Sequence, residues 1–189
     1  AETLQIQSRV KKISVATDRW GTDESALLTN MMGLSKAEAG YLDTEFLRLK
    51  GKSLRSVIID ETSDGDNVRQ SALAYLAGNA TEGAKHAARY ASDRWQHWFG
   101  TDTELLNKAM SSLTEEERTH LLTKDDEWPD LRDQLAKQLT EERHNSLFGA
   151  NQYELDTFLT LTNKDIKYDD AHLQVKAIEL TKAFQGTAN

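Results

Sequence analysis

The stretch Arg19–Leu28, RWGTDESALL, sets a Gly-Thr-Asp-Glu turn directly before an apolar run, and Trp98–Leu106, WFGTDTELL, repeats it with the glycine 79 residues further on. Thr and Asp ahead of such a run are helix-starting residues: a short side-chain oxygen accepts a free N–H of the first turn, and the acids that follow favour its positive end. The turn therefore predicts a helix on each side. Upstream, Ile6, Val10, Ile13, Ala16 and Trp20 recur at helical spacing; downstream come Leu27, Met31 and Leu34, then Leu42, Phe46 and Leu49. Ser35–Glu38 (SKAE) reads as a cap with an acid three residues on, Gly51 ends a helix, and Leu54, Val57 and Ile58 open another. After the Ser63–Asn67 loop, Val68, Ala72, Leu73 and Leu76 make a fifth stripe.

The order returns in the second half. Ala84, Ala88, Ala91, Trp95 and Trp98 predict a long helix; Leu105, Leu106, Ala109 and Met110 a second; Leu121 and Leu122 a third. Pro129 stands in the first turn of a fourth, where its missing N–H costs nothing, ahead of Leu131, Leu135 and Leu139. Tyr153, Leu155, Phe158 and Leu159 form a fifth. A last segment carries Leu173, Ala177, Leu180 and Phe184 before a third Gly-Thr pair at Gly186. Five helices per period predict a helical repeat array: one unit over 1–79, a second over 80–163, and over 164–189 a terminal helix resembling the start of a third. That terminal stripe is expected to fold back onto the second unit.

Composition agrees with an all-α fold. One proline and ten glycines in 189 residues leave helices few interruptions, and 38% apolar content is enough for a core. The absence of cysteine excludes disulfides and thiolate chemistry. A formal charge of −8 makes a bare phosphate backbone an unfavourable partner, so nucleic acid is not expected. No apolar run has the roughly 18–20 residues of a membrane span, so a soluble chain is expected, possible association with membranes being peripheral.

The helix order, the turn and its spacing resemble the annexin family, whose repeat is a five-helix unit of about seventy residues. In that family the first two helices are joined by a G-x-G-T-D-E loop, with an acidic residue about 38 residues further on. Here the loop reads Arg19-Trp20-Gly21-Thr22-Asp23-Glu24, and Glu61 falls on the acidic position. The resemblance implies a weak calcium site in which Arg19, Trp20, Gly21 and Thr22 offer backbone carbonyls and Glu61 its carboxylate, leaving open positions for a lipid phosphate. Calcium takes six to eight oxygens, and loop carbonyls plus one acid leave room for such a ligand. Arg19 stands where the family has its first glycine, adding a Cβ and a cation. In the second unit Trp98 replaces that glycine, and the counted acidic position is Thr140, with Glu141 beside it. Read without the resemblance, the same residues are a helix-helix turn with Thr22 as cap.

Other patterns are weaker. Asp60–Ser71 matches a calcium-binding EF-hand loop at Asp60, Asp64 and Gly65 but has Ser71 where the bidentate glutamate belongs. Seven acids, Asp18, Asp23, Glu24, Asp60, Glu61, Asp64 and Asp66, crowd the two segments of the first unit. In the aromatic group Trp95, Trp98 and Phe99, the helical spacing of Trp95 and Trp98 predicts packing between repeats, with a lipid-interface or ligand patch as the alternative. Neither the five histidines nor any serine or glycine pattern makes a metal or nucleophile motif, and no small-molecule substrate is implied. The expectation is a noncatalytic interaction module that docks a protein partner, as part of a larger protein; the alternative is calcium-dependent binding to acidic membranes.

Overall fold

Short polar side chains start these helices. Ser35 and Glu38 form a reciprocal capping box, as do Thr114 with Glu117 and Asn151 with Glu154. At the two related turns the cap is the aspartate: Asp23 accepts from the Ala26 amide and Asp102 from that of Leu105, so Asp23, not Thr22, starts the helix. The computed structural model describes residues 2–18, 23–93, 100–144 and 151–186. Among them are eleven helices and no strand: α1 Glu2–Asp18, α2 Glu24–Met31, α3 Lys36–Lys50, α4 Leu54–Glu61, α5 Asn67–Leu76, α6 Ala80–Ala91, α7 Thr103–Ser111, α8 Glu115–Lys124, α9 Trp128–His144, α10 Gln152–Leu161 and α11 Tyr168–Gly186. The expected long helix through Trp95 and Trp98 is described only as far as Ala91; those tryptophans, with His97 and Phe99, lie outside the described residues.

The chain divides into two compact units, Ala1–Tyr90 and Ala91–Asn189. In the first, α1 packs on α2 and α3, α2 on α5, and α3 and α4 on α5. Ile13, Leu28, Leu42, Phe46, Leu54, Ile58 and Ala72 are fully buried, so the predicted stripes face the core, except that Leu49, expected to continue the stripe of Leu42 and Phe46, is 49% exposed. Within this unit α6 lies on α5. Gly83 sits so close to the Tyr75 ring that a Cβ there would meet it at 2.7 Å, and the Ser71 hydroxyl donates to the Gly83 carbonyl at 2.7 Å. Ser71, the twelfth position of the EF-hand match, is therefore a buried helix contact. The loop between α4 and α5 spans only 62–66, so the second half of that match is helix.

In the second unit α7 packs on α10, α10 on α9 and α11, and α8 on α9. Leu106, Ala109, Leu121, Trp128, Leu135, Leu139 and Phe158 form its core. Arg118, 5% exposed, donates to the carbonyls of Leu161 (2.9 Å), Asn163 (2.8 Å) and Ile166 (3.0 Å) and so fixes the turn between α10 and α11. Burial lowers its pKa below the usual guanidinium value.

Helix α11 folds back as expected, but through the opposite face. Ala171 and Val175 are its buried residues, whereas Leu173, Leu180 and Phe184 are 68%, 60% and 73% exposed. Small side chains permit close approach to α10, and the larger ones cannot occupy the same side of the helix.

The two halves repeat local detail. From Gly21 to Leu42 every residue has a counterpart 79 positions later: Asp23 and Asp102 cap, Leu27 and Leu106 are buried, and the Ser35/Glu38 box becomes Thr114/Glu117. The Asp23 amide donates to the Ala16 carbonyl at 2.9 Å, and that of Asp102 to the Ala91 carbonyl at 2.8 Å.

Candidate functional site

The turn and the acidic helix end are brought together in the second unit. Glu142 continues the buried stripe of α9, Leu131, Leu135 and Leu139, and is itself 7% exposed. Its two oxygens accept the Thr101 backbone N–H at 3.2 and 3.1 Å, and one also accepts the Thr101 hydroxyl at 3.0 Å. Gln138, one turn earlier, donates from Nε2 to Glu142 Oε1 (3.2 Å), the Thr101 hydroxyl oxygen (2.9 Å) and the Ser92 carbonyl (2.9 Å). The carboxylate thus closes a clasp between the start of α7 and the end of α9. Sequence counting points at Thr140 and Glu141; Thr140 bonds its hydroxyl to the Ala136 carbonyl, and Glu141 is exposed. The missed signal was helical register, since positions 131, 135, 139 and 142 share one face.

In the first unit Glu61 is the last residue of α4 and is exposed. Arg19, Trp20, Gly21 and Thr22 lie outside the described residues, so their geometry toward Glu61 is not part of the structure. Several of the crowded acids are engaged by protein donors. Asp18 pairs with Lys50 and accepts from Ser14, and the Lys50 hydrogen bond holds its carboxyl below the usual carboxylate range. Asp64 pairs with Arg69 at 3.1 Å, Asp66 accepts the Ser63 amide at 3.1 Å, and Asp23 is spent on its cap. Among the described residues no group of three or more His, Asp or Glu is arranged to hold a metal.

Two of the histidines serve local structure. His86 Nδ1 bonds Asn67 Oδ1 at 3.0 Å; His172 lies 3.0 Å from the Tyr168 carbonyl and 3.2 Å from that of Ser111. No described helix is long and apolar enough to cross a membrane. These features define an all-helical chain of two compact units with a buried loop-carboxylate clasp and an exposed apolar helix face. No family model matches the chain, and no curated protein matches it.

Proposed function

We propose that the chain is a noncatalytic helical interaction module on an annexin-like scaffold, which docks a protein partner through the outward face of α11. The observation that carries this reading is the exposure of Leu173, Leu180 and Phe184 on one helix. Large apolar side chains gathered on one exposed face are characteristic of interaction surfaces, whereas isolated ones are ordinary. The clasp supports the same reading. Glu142 receives N–H and O–H donors from the turn, and for calcium to take that carboxylate it must first displace them.

The second reading, calcium-dependent attachment to acidic phospholipid, is favoured by one observation: the second unit brings its turn within hydrogen-bond distance of a helix-end carboxylate. In the first unit such a site would use the carbonyls of 19–22 and Glu61. Calorimetric calcium titration, with and without vesicles of acidic phospholipid, separates the two. The module reading expects no calcium-dependent vesicle binding up to about 1 mM calcium, the weak end of protein calcium sites. Calcium-dependent sedimentation with vesicles would overturn it. Under the second reading Glu61→Gln abolishes the calcium signal and Arg19→Gly strengthens it.

A further inference from the structure

We infer that the cavity between α8, the start of α9 and the turn after α10 binds an organic monocarboxylate with a compact apolar body. It uses none of the exposed α11 residues, so the inference goes beyond the docking reading and does not rest on it.

The cavity, of about 350 Å³, lies within the second unit and is lined by Leu122 of α8, Trp128, Pro129 and Arg132 of α9, and Asn163 and Lys164 of the turn. That volume is at the small end of ligand pockets. Trp128 lines the cavity although it is only 2% exposed, so the indole stands at the inner end. Its Nε1–H, which can only donate, has no hydrogen-bond partner. Nearly all buried polar groups in folded proteins are paired, so an orphaned N–H beside a cavity calls for an acceptor from outside the chain.

Other unpaired donors stand around the same space. Asn163 Oδ1 accepts the Asp165 amide at 2.9 Å, which fixes the orientation of the side-chain amide and leaves its NH₂ group without a partner. Arg132 donates from Nη1 to Asp133 at 3.2 Å, and its remaining N–H groups bond to none of the described residues. Two acids also line the cavity, Asp133 and Asp165, but they are 76% and 81% exposed and each is paired with the adjacent cation, Arg132 or Lys164. The charged lining therefore balances, which leaves nothing to compensate a dianion such as phosphate. A single carboxylate suits it better: two oxygens meet the indole N–H, the amide NH₂ and the spare guanidinium donors, and the bond to Arg132 is charge-assisted. Leu122, Pro129 and the indole ring offer the apolar surface for the rest of the ligand.

Benzoate is the probe, titrated into the intact, isotope-labelled chain near neutral pH and followed through the indole N–H signals of the four tryptophans, with Trp128 assigned from Trp128→Phe. Saturable movement of the Trp128 signal is expected, with a dissociation constant of roughly 0.3–10 mM for a ligand of so few atoms. The Trp128 N–H is closed to water, so benzoate held only at the rim would leave that signal in place. Trp128→Phe keeps a ring in the core and removes the donor, Asn163→Asp keeps the acceptor for Asp165 and sets a like charge against the ligand, and Arg132→Met removes the guanidinium. By calorimetry each should weaken benzoate at least about fivefold while retaining the helical circular dichroism. Should Trp128→Phe fail to fold, the other two variants still decide. Arg55→Met, on α4 of the first unit, should change nothing. Benzamide and benzylamine, of the same shape without the carboxylate, should bind at least about tenfold more weakly.

A short peptide with a free C-terminus and an apolar last residue, compared with its C-terminal amide, identifies the source of the carboxylate. Tighter binding of the peptide acid than of benzoate assigns the cavity to a protein C-terminus, and the reverse assigns it to a free organic acid. A Trp128 signal unmoved up to about 30 mM benzoate, variants that all bind as the parent does, or benzamide or inorganic phosphate bound as tightly as benzoate overturns the inference. None of these outcomes touches the docking reading, whose failure is read separately from calcium-dependent vesicle binding.

Discussion

A buried carboxylate is tolerable only when its oxygens are occupied, and Glu142 meets that condition with the Thr101 amide, the Thr101 hydroxyl and Gln138. Glu142→Ala leaves these donors unpaired in a buried site and should destabilise the second unit by about 1–3 kcal/mol, read as a lower urea midpoint. Glu142→Gln should cost less, because its amide oxygen still accepts from Thr101 while its NH₂ group confronts the donors of Gln138. An equal loss in both variants would mean that the clasp adds little beyond packing. In the first unit the carboxyls of Glu38 and Asp18 titrate below their usual range, Glu38 mainly through the Ser35 amide and Asp18 mainly through Lys50. A carboxyl with a lowered folded-state pKa contributes stability that is complete above its unfolded value and is lost as pH falls through the folded one. Stability should therefore decline as pH drops below about 4, and Lys50→Ala should flatten that decline, whereas Ser35→Ala, which keeps the amide that Glu38 accepts from, should change it less. Both groups are exposed, so the effect is small and screened by salt.

Arg118 decides more at the level of elements, because one side chain serves three carbonyls between α10 and α11. Arg118→Met fills similar space without donors and should cost about 2–4 kcal/mol, loosening α11; faster amide exchange in residues 168–178 than in α8 checks it. The helices themselves were legible in the sequence, since Leu27, Leu42, Phe46, Leu106 and Leu139 recur at helical spacing and their stripes do enter the cores. Caps were legible too, though at the two turns the choice between Thr and the following Asp depends on backbone geometry that spacing does not encode. Helix α11 was misread for a physical reason. Hydrophobicity favours Leu173, Leu180 and Phe184 as the inner face, whereas close packing on α10 selects Ala171 and Val175, and only the shape of α10 reveals that. Glu142 was missed because counting from the turn assumes equal helices, while α4 has 8 residues and α9 has 17.

On the scale of the whole molecule, the turn spacing suggests a division at residue 79, whereas the compact units meet at Tyr90 and Ala91, within α6. The contacts of α6 give the difference a measurable consequence. Tyr75 is 3% exposed, with Gly83 directly over its ring, and the Ser71 hydroxyl, fully buried, bonds the Gly83 carbonyl. A fragment ending at residue 79 uncovers that ring and leaves the hydroxyl to water, whereas one ending at 93 keeps α6 in place. Restoring one large buried side chain is worth about 1.5–3 kcal/mol, and in a domain of this size each kcal/mol moves the melting temperature by roughly 4–8 °C. The fragment 1–93 should therefore melt roughly 10 °C above 1–79. Gly83→Val in the longer fragment should remove most of that gain by pushing α6 off the Tyr75 ring, since any Cβ at this position already collides with it. If 1–79 and 1–93 melt together, α6 contributes nothing to the first unit, and the boundary belongs at the turn before it.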